Sequence, residues 1–328
     1  GIHSGDSSCT LPPITLGPDV IAKVKEATEA IARGTGVRGL INIQFAYVSE
    51  NLFVIEANPR ASRTVPFVSK ATGVQLAKAA VMIGLGKSIA ELKAEGYLPK
   101  NMDGASLPQN TAIAVKAAVL PFSRFRTPEG VVVDSLLSPE MRSTGEVMGL
   151  DTLYDTAFAK AQAGAGSPLP TEGKVFVSVA NHDKRNVIIY AKMLEQLGFE
   201  IVSTGGTADV LRRNGVNSTV ASKFAEANGQ HSIVDMVRNG EIDLILNTPA
   251  GGAARSDGHE IRAAAVSVGC PVMTTISEFA AAVQAITALR ERSWEIINLQ
   301  EHGEFLRTAS TREQGQDKGQ QVREGELS

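Results

Sequence analysis

Cysteine is nearly missing from this sequence: 328 residues hold two, Cys9 and Cys270, far apart and outside any CxxC spacing. That excludes a disulfide framework and a cysteine zinc site, and it fits a reducing, cytoplasmic setting. Aromatic residues make up 5% of the chain, with a single tryptophan. No apolar run approaches the roughly 18 residues that a membrane span needs, and no signal peptide opens the chain, so no membrane partner is expected. Excess charge is lacking too. Thirty-two Lys and Arg against 35 Asp and Glu leave a net −3, which gives no basic surface for nucleic acid. A start methionine is also absent, which leads us to expect a piece of a longer protein. What remains is ordinary globular composition, 43% hydrophobic and 20% charged, long enough for about two domains with a core each.

Along the chain, Pro18 opens an amphipathic stretch to about residue 33, with Ile21, Val24, Ala27 and Ile31 on one face and Gly34 suited to its end. GLINIQFAYV and NLFVIEANP then read as two strands of a hairpin turning at Ser49, Glu50 and Asn51. A helix is expected over residues 64–84, loop over 96–112, a strand from Ile113 to Phe122, and a small-residue linker at 161–172. Beyond the linker, short buried strands (KVFVSVA, FEIVST, DLILNTP, PVMTT) alternate with helices, the pattern of a doubly wound parallel sheet. The polar stretch from 303 to 328 lacks periodicity and reads as disordered. The expected organisation is therefore 1–160, a linker at 161–172, a second domain at 173–302, and a tail.

Two places carry candidate chemistry. In the hairpin, strand alternation with a three-residue turn sets Val48 opposite Leu52, Gln44 opposite Glu56 and Asn42 opposite Asn58. One carboxylate and several amide oxygens on a single patch are hard ligands suited to Mg²⁺, which commonly shares its shell with phosphate oxygens. Arg60 and Arg63 follow at once, and their planar forks suit phosphate. In the second domain, Ser203-Thr204-Gly205-Gly206-Thr207 joins a strand to a helix, where backbone N–H groups and hydroxyls can meet a phosphate. HDKR at 182–185, Lys223 and Asn247-Thr248-Pro249 fall at or just after other strand ends, so a ligand crevice is expected there.

The segments GLINIQFAY and VIEANPRASRTVPFVSKATGVQLAKAA, with HSGDS near the start and PEMRSTGEVMG at 139–149, resemble the large subunit of carbamoyl-phosphate synthases from residue 1 to about 300. The resemblance implies an α/β fold: an α+β ATP-grasp C-terminal lobe followed by a doubly wound, methylglyoxal synthase-like domain. It implies Gln44, Glu56 and Asn58 as ligands of Mg²⁺ or Mn²⁺, and His3, Ser4, Gln44 and Glu56 as ATP contacts. Arg60 and Arg63 would stabilise charge as carbamate is phosphorylated to carbamoyl phosphate for pyrimidine and arginine biosynthesis. Lys184, Thr204, Thr207, Lys223, Asn247 and Thr248 match the pocket that takes a nucleotide monophosphate effector, UMP or IMP. Asn247-Thr248-Pro249 stands where a catalytic methylglyoxal synthase needs carboxylates, which favours regulation over chemistry. K⁺ and a glutaminase small subunit also follow from the family, and self-association into a homo-oligomer stays open. Ornithine-activated members carry a glutamate where this chain has Ala117 and a tyrosine where it has Val272, so ornithine is not expected to activate. Alone, the chain is expected to bind ATP weakly and catalyse nothing. The alternative reading is a nucleotide-sensing module without catalysis; a biotin-dependent carboxylase is disfavoured because no AMKM-like sequence occurs.

Overall fold

In a computed structural model the described residues are 3–100, 112–128, 132–222, 232–249 and 251–302, with the backbone alone for Ser4 and 251–257. The expected tail at 303–328 and most of the expected loop at 96–112 lie outside them. From the amino end the elements are β1 (Cys9–Leu11), α1 (Pro18–Thr35), β2 (Asn42–Val48), β3 (Asn51–Asn58), α2 (Thr64–Thr72), α3 (Leu76–Gly84), α4 (Ile89–Ala94) and β4 (Ile113–Val119). There follow β5 (Gly145–Asp151), α5 (Tyr154–Gly164), β6 (Lys174–Ser178), α6 (Lys184–Gln196), β7 (Glu200–Ser203), α7 (Gly205–Arg213) and β8 (Thr219–Val220). The last are α8 (Ile233–Arg238), β9 (Leu244–Asn247), α9 (Gly251–Val268), β10 (Val272–Met273) and α10 (Ile276–Glu291). No helix among the described residues is long and apolar enough to cross a membrane.

The chain divides into two compact units. One combines Gly1–Cys9 with Val115–Trp294; the other combines Thr10–Ala114 with Glu295–Ser328. In the latter, α1 begins on Pro18 and ends at Gly36, whose φ of 63° lets its N–H turn back to the carbonyls of Ala32 and Arg33. The single helix expected over 64–84 is two, because Gly73 at φ 70° takes the left-handed conformation that closes α2. Ser88 and Glu91 form a reciprocal capping box that starts α4.

In the former unit, β4 from Val115 onward pairs with β5. Lys116 on β4 is 2% exposed and pairs with Glu146 on β5 at 3.3 Å. The sheet packs on α5 through Gly149, where even a methyl group would lie 1.9 Å from the Ala157 carbonyl oxygen. Near the chain start, the buried Asp6 carboxylate accepts the N–H groups of Arg142 and Ser143 at 2.9 Å each.

The remaining strands form the parallel sheet that the alternation of strands and helices predicts, in the order β10-β9-β6-β7-β8. The middles of its inner strands β6, β7 and β9 are apolar because helices cover both faces. On one face Phe176, Val202 and Ile245 join Ile233, Val234 and Val237 of α8 and Ile261, Ala264 and Ala265 of α9. By strand alternation Val175, Val177, Leu244 and Leu246 take the opposite face, and all four are fully buried. There α6 and α10 meet edge-on through Tyr190 and Phe279. Each such aliphatic or aromatic side chain contributes roughly 1.5–3 kcal/mol on burial.

Candidate functional site

Every strand of the parallel sheet points the same way, so the carboxyl ends share one edge. The order also reverses next to β6: the chain goes from β6 to β7 on one side and later to β9 on the other. Ligands of open α/β sheets sit outside the strand ends at such a point. Ser178, the last residue of β6, is in register with Asn247, the last residue of β9.

Around that point the structure gathers five of the six residues expected for a phosphate ligand. Thr204 stands just before α7, its hydroxyl 3.4 Å from those of both Ser178 and Thr207. Thr207 is buried and accepts the Val179 N–H at 3.5 Å. Thr248 is buried too and accepts the Ala180 N–H at 2.8 Å. Each of these two threonines therefore has its O–H to offer a ligand. Lys184 opens α6, and its Nζ lies 3.2 Å from where a side chain on Gly206 would begin. Glycine at 206 thus leaves room for the ammonium over the first turn of α7, whose own dipole is positive at that end. No acid sits in that turn. An ammonium, a helix amino end, hydroxyl donors and a side-chain amide are groups that can all donate to an anion. Lys223, the sixth expected residue, lies outside the described residues.

The sequence reading missed two residues that shape this crevice. Arg262 of α9 is completely buried; its NH1 donates to Asn247 Oδ1 at 2.5 Å. Its Nε and NH2 fork onto the Asp134 carboxylate, both at 2.7 Å, and His259 Nδ1 lies 3.6 Å from the same carboxylate. Burial alone would raise the Asp134 pKa, but the Arg262 hydrogen bonds and charge outweigh it and hold the carboxyl below its usual value. The signal was available: Gly258, Ile261, Arg262 and Ala265 fall on one helical stripe, so an arginine occupies a core-facing position.

The expected nucleotide and metal residues are described in their separate units. His3 Nδ1 accepts the Gly5 N–H at 3.0 Å, and its carbonyl accepts from Ser7 and Asp6. The histidine thus braces a tight turn, and Ser4's side chain is not among those described. In the hairpin, Asn42 pairs with Asn58 and Gln44 with Glu56, as expected. The pairing of Val48 with Leu52 is not found: Val48 faces Asn51, and Tyr47 faces Leu52. The turn has two residues, Ser49 and Glu50, with φ of 49° and 64°, the twist that joins antiparallel strands tightly. Asn51 belongs to β3 and donates from Nδ2 to the Ser49 carbonyl. A bulge between Gln44 and Phe45 absorbs the extra residue of β3 and restores the outer register.

Gln44 and Glu56 are solvent-exposed and Asn42 and Asn58 half-buried. Glu56 is the one carboxylate here; among the described residues no three His, Cys, Asp or Glu side chains converge on a metal position. The donor set suits a hard cation that takes its remaining ligands from phosphate and water. Arg60 is exposed and donates to the Ala61 carbonyl at 3.0 Å, while Arg63 immediately precedes α2.

The fold defines an α/β protein with a parallel-sheet domain. Comparison with known proteins agrees. Residues 186–274 match the MGS-like domain family, and residues 1–92 match the ATP binding domain of the carbamoyl-phosphate synthase L chain. The carbamoyl phosphate synthase large chain of Kocuria rhizophila is 66% identical over 97% of this chain and 29% of its own length. That of Pseudarthrobacter chlorophenolicus is 66% identical over 93% of this chain, and that of Streptomyces coelicolor 57% identical over 93%, each over 28% of its own length. The chain belongs to the carbamoyl phosphate synthase large-chain family and spans less than a third of the length of these relatives.

Proposed function

We propose that this chain supplies two parts of a carbamoyl-phosphate synthase: metal and phosphate contacts of an ATP-grasp site, and a crevice that binds a nucleotide monophosphate as an allosteric effector. The convergence of Lys184, Thr204, Thr207, Asn247 and Thr248 at the strand ends carries this reading. Every one of these groups can donate to an anion, and none is a carboxylate placed to take a proton from a triose. That favours binding over chemistry.

On the catalytic side, the direct pairing of Gln44 with Glu56 supports a role in holding Mg²⁺ or Mn²⁺ against ATP, with Asn58 beside them. The cation would neutralise phosphate charge, while Arg60 and Arg63 would stabilise the phosphoryl group passing to carbamate. Ammonia for that reaction would come from a glutaminase partner of the whole enzyme. The product would feed pyrimidine and arginine biosynthesis, with the nucleotide acting as feedback signal.

Titration calorimetry with UMP, IMP and inorganic phosphate tests the effector reading on this chain. Saturable one-to-one binding of at least one nucleotide, lost in Lys184→Ala and Thr207→Val, is expected. No heat from any of the three, with the chain folded by circular dichroism, would refute it.

A further inference from the structure

We propose that Arg262 is a positioning residue for this crevice, fixing Asn247 as a hydrogen-bond donor and tying its setting to Asp134. The inference rests on the anion-binding reading and goes beyond it, since Arg262 itself is completely buried behind Asn247.

Chemistry fixes the direction. A guanidinium has five N–H donors and no acceptor, so the only part of an asparagine amide that can face it is the carbonyl oxygen. With Oδ1 held by Arg262 NH1 at 2.5 Å, Nδ2 is turned toward the end of β6, 3.5 Å from the Ser178 carbonyl. One of its two N–H bonds serves that carbonyl, and the other is available to the crevice. An amide turned the other way would confront a phosphate with a carbonyl oxygen, and like partial charges repel. Arg262 thus sets the sign of the crevice at β9.

Arg262 is in turn held by two 2.7 Å bonds to Asp134, which lies in the irregular segment between β4 and β5. A bidentate fork fixes the plane of the guanidinium, so the third donor reaches Asn247 from a set direction. The fold makes room for this. At Gly258, one turn before Arg262, a Cβ would lie 2.3 Å from Arg262 NH1 and 2.7 Å from Asn247 Oδ1. Glycine in mid-helix is otherwise unfavourable by up to about 1 kcal/mol relative to alanine, and here it leaves space for the contact.

A double-mutant cycle on this chain, with UMP and IMP as probes, tests the proposal. Asn247→Ala is expected to weaken binding about tenfold, equivalent to about 1.4 kcal/mol. Arg262→Lys keeps the charge opposite Asp134 but cannot fork, and should weaken binding by a similar factor. In the Asn247→Ala background Arg262→Lys should cause no further loss, because it acts only through the amide. Asp134→Asn should follow the same pattern, and it carries the test if Arg262→Lys fails to fold. Equal losses in both backgrounds would mean that Arg262 is structural only, overturning this proposal while leaving the effector reading intact. Failure of the unaltered chain to bind either nucleotide would overturn the effector reading and this inference with it.

Discussion

Replacing Asp134 with alanine removes the counter-ion of a fully buried arginine, and the structure bounds the cost. Arg262 is 0% exposed at its side chain and Asp134 30%. Removing one partner of a fully buried pair costs roughly 3–5 kcal/mol. Here Asp134 keeps part of its solvation and Arg262 keeps Asn247, so about 2–3 kcal/mol is expected. For a unit of this size each kcal/mol lowers the melting temperature by roughly 2–4 °C, which gives a drop of about 4–12 °C at pH 7. The pH dependence supplies a second check. The folded pKa of Asp134 lies below its ordinary value, so its contribution is fully present above the unfolded pKa, near about 4. It fades as pH falls through the lower, folded value. Asp6 and Asp151 are also lowered, in each case by hydrogen bonds that outweigh burial. Both proteins therefore lose stability in acid, and only the gap between them reports Asp134. Melting followed by circular dichroism from pH 7 down to 3 should show that gap narrowing. An unchanged midpoint at pH 7, or a gap that stays constant into acid, would refute the reasoning.

Two further outcomes follow from packing and burial. Gly149→Ala should lower stability by about 3 kcal/mol or more, because its methyl group would meet backbone atoms of Ala157 and Ala161; a melting curve overlaying that of the original chain would contradict this. Cys270 is half-buried, its thiol pushed up to about 12 by burial and by the Asp243 carboxylate, whereas Cys9 reaches solvent and its thiol, though also raised by burial, is favoured as thiolate by the Lys116 ammonium. A chromogenic disulfide reagent at pH 8 should therefore titrate one thiol in the folded chain and two in denaturant, and rapid titration of both without denaturant would sink the assignment.

The parallel sheet was legible because strands buried on both faces must be continuously apolar, and Val175–Val177 and Leu244–Leu246 announce that without help from tertiary structure. The crevice residues were legible for a related reason: they end strands or begin helices, where polar residues in an apolar sequence stand out. The hairpin was half readable. Its outer pairs followed from alternation, but a bulge leaves no trace in a period of two, and Ser49-Glu50 lacks the glycine that usually marks a left-handed turn. Asn51 looks like the turn residue and instead braces the turn from inside β3. At α4 the Ser88 to Glu91 spacing is a plain start signal, and it falls between the expected helix over 64–84 and the expected loop from 96. For Arg262 the core-facing position could be read from the helical stripe, but not its partners: Asp134 and Asn247 are 128 and 15 residues away, and no spacing rule reaches across such intervals.

The latch between Asp6 and Arg142 joins residues 136 apart in sequence, and this sets a timetable for synthesis. At roughly 5–20 residues per second, the Asp6 carboxylate waits about 7–27 s on the ribosome before the N–H groups that it accepts have been made. During that interval Thr10–Ala114 emerges and can begin to fold. The compact unit containing Asp6 therefore cannot close until Arg142 and Ser143 have been made, and a slowdown in translation before Arg142 prolongs the time for which that carboxylate has no partner.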